Sequence, residues 1–146
     1  MFLGVSGFLE VALNTKRSLF RFESERDNIY DCINSCYKIY EFIRENMGVY
    51  DTKTSRKSDY YNTANLMLHA LNDFLTNHQS DYRRWHENAL EENNKDVFRG
   101  ITEIQRDYPN YDKIIKGFDE LNCKFKAYAK KFDVDTDKWE SSNNQE

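Results

Sequence analysis

The chain reads as all-α, a single-domain bundle of four to five helices with a long N-terminal helix or helix pair. Three observations predict this. Apolar residues recur at spacings of three and four along most of the 146 residues. Charged residues make up 32% of the chain, and five Gly and one Pro are too few for the turns of a β-sandwich. Ten Phe, ten Tyr and two Trp supply the apolar area that one core of this size needs.

The elements follow in order. MFLGVSGFLEVALNTKR has no basic residue ahead of its apolar run and carries Glu10 within it, so it predicts a packing helix and not a secretory signal. No stretch reaches the roughly 18 apolar residues of a membrane span. From Leu19, the residues Phe22, Arg26, Ile29, Ile33, Cys36, Tyr40, Ile43 and Met47 form one stripe, which Phe8, Ala12 and Thr15 continue backwards. This fits one helix over about residues 7 to 47. It fits equally a break near Phe22–Asp27, where Ser24 and Asp27 resemble a capping box. Gly48 is the expected stop, being free to adopt the left-handed conformation.

Residues 49–58 are polar and aperiodic, hence a loop, and Ser58 is placed to cap a helix carrying Tyr61, Ala64, Met67, Leu71, Phe74 and His78. A turn or kink is expected near Gln79–Ser80, and a break at Asn93–Asn94. Asp96 could cap a short helix with Val97, Phe98, Ile101 and Ile104, which must finish at or before Tyr108 because Pro109 follows. The last helix, about Tyr111 to Phe132, pairs Asp112 with Lys116 and Glu120 with Lys124 on its outer side. Residues 1–139 form the expected domain, and 140–146 a polar tail expected to be disordered.

The densest cluster of reactive groups is SDYRRWHENALEEN, residues 80–93. On a helix, Tyr82, Trp85 and Ala89 share a face with His86 and Leu90 beside them, while Arg83, Arg84, Glu87 and Asn88 take the polar side. Arg84 and His86 point to nearly opposite sides; Arg83 and His86, three apart, can approach. An arginine followed by a histidine on a helix resembles the HEPN class of all-helical, metal-independent ribonucleases. The resemblance is confined to this segment, and that class sets the two residues further apart than they stand here. It implies RNA cleavage with Arg83 and His86 as the acting pair.

Metal chemistry finds only half-sites: His69 with Asp73, and Cys32 with Cys36, each four apart with no second half at ligand spacing. Asp133, Asp135 and Asp137 open like a calcium loop, but Lys138 stands where the turn needs Gly and Asn144 where it needs Glu. Cys32, Cys36 and Cys123 are an odd set without a disulfide framework, which predicts reduced thiols in a cytoplasmic protein. No metal and no cofactor is expected, and neither a phosphate loop nor a nucleophile elbow occurs.

These observations predict a non-catalytic interaction module, most sharply an acidic inhibitor, immunity factor or adaptor that binds a basic site on a partner protein. The formal net charge of −4 and the tyrosine content support it. Fifteen Asn suit an AT-rich bacterial or phage gene. Tyr50, Tyr60, Tyr108, Tyr111 and Trp139, at expected helix ends or in loops, are the candidate partner contacts. The alternative is binding of RNA or single-stranded nucleic acid through Lys53, Arg56 and Lys57 with Lys124, Lys126, Lys130 and Lys131. The Leu19–Met47 stripe, if longer than the bundle covers, would form a homodimer.

Overall fold

A computed structural model describes residues 17–47, 59–93 and 99–132. It contains α1 (Arg17–Phe20), α2 (Ile29–Met47), α3 (Asp59–Asn93), α4 (Ile101–Ile104) and α5 (Tyr111–Ala129). The 3-10 turn Gln105–Asp107 extends α4, and another, Lys130–Phe132, closes α5. The fold is all-α, with no strand among the described residues.

The 35-residue helix α3 is the spine. Its flank toward α2 pairs early with late: Tyr30 stacks on His86, while Tyr37 and Tyr40 lie beside Leu75 and Thr76, so the two helices run antiparallel. On the other flank Phe118 packs on Phe74 and Asn110 reaches Asp81, so α5 is antiparallel as well. The turn or kink expected near Gln79–Ser80 does not break the helix: α3 continues without interruption from Asp59 to Asn93. The reason lies in the phase. Leu71, Phe74, His78, Tyr82, Trp85 and Ala89 step by three and four straight through that point, and no Gly or Pro interrupts them.

At the N-terminal side the chain does break, as the second of the two readings has it. Residues 21–28 are non-helical, and α2 begins at Ile29. Its cap differs from the expected Ser24–Asp27 box. Asn28 Oδ1 accepts from the Tyr30 amide at 2.9 Å, and more loosely from that of Asp31 at 3.4 Å. Asp27 instead folds the N-terminal strap, residues 17–28, on itself, accepting the Glu23 amide at 2.7 Å and pairing with Arg17.

Two buried side-chain amides fasten this strap. Asn122 of α5 accepts the Phe22 amide and donates to the carbonyls of Ser18 and Leu19, each at 2.8 Å. Gln105 accepts the Ile29 amide at 2.9 Å and donates to the Asp27 carbonyl at 2.8 Å. Backbone groups that leave water without a partner are costly, and these two side chains answer five of them. The strap's rings follow: Phe20 meets Phe125 edge-on at 6.1 Å, and Phe22 stacks on Phe118 at 4.1 Å.

This packing covers part of the stripe that would form a homodimer if longer than the bundle covers, with Phe22, Tyr40 and Met47 left half-buried and Arg26 exposed. Leu19, Ile29, Ile33, Cys36 and Ile43 are buried within the one chain. Among the described residues no helix is long and apolar enough to cross a membrane. The expectations on Phe8, Ala12 and Thr15, Gly48, the 49–58 loop with Ser58, Asp96 to Phe98, and the segment from Asp133 onward lie outside the described residues.

Candidate functional site

The second half of α3 divides the quoted cluster between two sides. Tyr82, His86 and Ala89 face inward with Trp85 half-buried; Arg83, Arg84, Glu87, Asn88, Glu91 and Glu92 are exposed. The His86 ring lies parallel to Tyr30 at 4.5 Å and tilts against Tyr82 at 5.7 Å. Burial lowers its proton affinity, opposed by the carboxylates of Asp31 and Glu87. The structure therefore does not set His86 and an arginine facing each other in an open cleft. The imidazole is 7% exposed inside an aromatic cluster, and Arg83 and Arg84 point to the solvent side.

Tyr82, Trp85 and Tyr108 complete that cluster, with ring centroids 4.9 to 5.6 Å apart. Tyr108, a candidate partner contact, is thus a core residue: it is 4% exposed, and its hydroxyl donates to Asp81. Burial, and then the Asp81 carboxylate, push its phenol up to about 12. Asp81 itself is held below the usual carboxylate range by the bonds from Tyr108 and Asn110. The Tyr82 hydroxyl is buried with no hydrogen-bond partner among the described residues.

The remaining candidates scatter. Tyr111 is half-buried against the core. Lys124, Lys130 and Lys131 are exposed at the end of α5, and Lys126 is half-buried there. The side chains of Tyr60, Tyr50 and Trp139, and the basic residues Lys53, Arg56 and Lys57, lie outside the described residues. Cys32 and Cys36 are buried, and burial raises both thiols, Cys32 to about 11. His69 and Asp73 are exposed, and no group of three potential metal ligands occurs among the described residues.

Sequence reasoning missed the end of α3 itself. Glu87, Glu91 and Glu92 are exposed over its last turns, and no basic residue occupies the last turn. Unpaired carbonyls make a helix C-terminus its negative pole, so carboxylates there add to a potential that cations would neutralise. Arg99 touches the Asn93 side chain at 3.3 Å, but its charge is committed to Asp107 at 2.6 Å and Glu103 at 3.3 Å. Asp31, at the start of α2, brings a fourth carboxylate to the same end of the bundle, opposite His86. The signal was legible: Glu91–Glu92 directly precede the expected stop at Asn93–Asn94. No family model, curated protein or solved structure matches the chain.

Proposed function

We propose that this protein is a non-catalytic helical interaction module, an acidic inhibitor, immunity factor or adaptor that occupies a basic site on a partner protein. The observation that carries this reading is the acidic end of α3. Glu87, Glu91 and Glu92 stand exposed at the negative pole of a 35-residue helix, where folding alone would favour lysine or arginine. Over α3 as a whole, six Asp and Glu stand against two Arg. Carboxylates that add to the negative pole of their own helix are kept at some cost to the fold, and a cationic partner would relieve it.

The test is affinity capture from the native host, run in parallel with wild type and with Glu87, Glu91 and Glu92 all changed to Lys. A partner recovered in stoichiometric amount by the wild type, weakened by salt and lost with the charge-reversed variant is expected. Recovery of the same proteins by both baits would sink the reading.

Nucleic-acid binding draws on one observation, the exposed Lys124, Lys130 and Lys131 at the end of α5. Those lysines also complement the dipole of their own helix, so folding accounts for them without a ligand. A titration with single-stranded RNA at low salt decides the matter, since phosphate contacts are strongest there.

A further inference from the structure

His78 stands on α3 two turns before His86 and faces the opposite flank, where α5 passes. Its imidazole is 6% exposed. It fits because residue 117 is Gly: a Cβ there would lie 2.7 Å from Nε2 and 3.3 Å from Cδ2 of His78. A glycine in mid-helix weakens α5, so the cradle is a concession made to the ring. The ring and Gly117 both border a cavity of about 70 Å³ along the α3–α5 seam, lined also by Asp73, Asn77, Glu120 and Lys124.

The charged groups around it come from two helices. Asp73 and Asp81 belong to α3; Lys113, Glu120 and Lys124 belong to α5. Asp81 is already engaged by Tyr108 and Asn110, which leaves Glu120 as the carboxylate on the facing helix. These side chains do not form a group able to hold a metal ion.

We propose that His78 is a proton-operated latch on the α3–α5 seam. The neutral ring fills the Gly117 cradle and holds α5 down. The imidazolium, which cannot stay against the α5 backbone without an acceptor, turns into the cavity toward Glu120 and releases the middle of α5. Burial and Lys113 both favour the neutral form, opposed by Asp81 and Glu120. The sign follows: the folded-state proton affinity lies below the ordinary 6.5, so the latch is closed above that pH and opens as pH falls below it.

Nuclear magnetic resonance on the whole protein between pH 7.5 and 5 tests the latch, with the imidazole resonances of His78 and the α5 amides followed together. The Gly117, Glu120 and Lys124 amides are expected to move with the His78 midpoint, and α5 hydrogen exchange, normalised for its intrinsic pH dependence, to rise severalfold on the acid side. His78→Gln, which cannot titrate, should flatten both responses. Glu120→Gln should lower the midpoint further, because the charged ring loses its acceptor. Titration of His78 in the wild type with the α5 amides unmoved would overturn the proposal, as would equal acceleration of exchange in H78Q.

Discussion

The C-terminal ends of α3 and α5 answer the same physical problem in opposite ways. α5 opens with Asp112 and ends with Lys126, followed at once by Lys130 and Lys131, so its charges oppose its dipole at both ends. α3 ends on Glu91 and Glu92 with no cation in its last turn. The difference extends inward. Asn122 of α5 has its polar groups bonded to the strap, whereas Tyr82 in the second half of α3 buries a hydroxyl without a partner among the described residues. One helix carries charges that suit its poles, and the other carries carboxylates at its negative end. A chain selected for stability alone would have no reason to keep that asymmetry.

Substitutions on either side break or sharpen the contrast. The largest effect is expected on the satisfied helix: Asn122→Ala leaves the Phe22 amide and two carbonyls unanswered and should cost about 3 kcal/mol or more in urea unfolding. A loss below about 1 kcal/mol would mean that the strap is not held there.

Tyr82→Phe acts in the opposite direction. It removes a buried hydroxyl that has no partner among the described residues and keeps the ring against Trp85 and Tyr108, so stability should rise by up to about 1 kcal/mol. A clear destabilisation in the same assay would show that the hydroxyl is not the burden it looks to be.

Smaller still are the paired charge reversals. Glu91→Lys with Glu92→Lys should stabilise by about 0.5 kcal/mol per charge at low salt, whereas Lys130→Glu with Lys131→Glu should destabilise to a similar degree. Both effects should fade in high salt. Changes of equal sign at the two ends would remove the contrast on which the proposed function rests.

The gentlest expectation concerns pH at His86. Its proton affinity is lowered mainly by burial, so the unfolded chain binds the proton more readily. Stability is then complete above about pH 6.5 and declines as pH falls from there toward the lowered folded value. His86→Gln should flatten that part of the slope, and an unchanged stability profile would count against a buried, neutral ring.

Much of the helix pattern was legible because apolar periodicity is local. Ile29 to Met47 and Tyr111 to Phe132 carry their seams in plain view, and both helices stand where the spacing put them. The cap of α2 falls on Asn28, four residues after the expected Ser24, since Asp27 is drawn back to the Glu23 amide and only the backbone path decides which acceptor meets the helix. A turn or kink was expected near Gln79–Ser80, while the unbroken phase of the apolar seam carries α3 through that point as continuous helix. Tyr108 looked free because it precedes Pro109 at an element's end; its burial depends on Trp85 and Tyr82 arriving from a different helix.

By itself the sequence determined the fold class, the helical faces and the placement of charge at helix ends, all of which follow from spacing along one chain. The tertiary structure alone decided which polar side chains became structural. Asn122 meets the strap across about a hundred residues, Gln105 across about seventy-six, and His78 reaches α5 only because Gly117 lies opposite. The physical reason is that a buried hydrogen bond or a steric cradle belongs to a pair, and the pair exists only once the helices have packed.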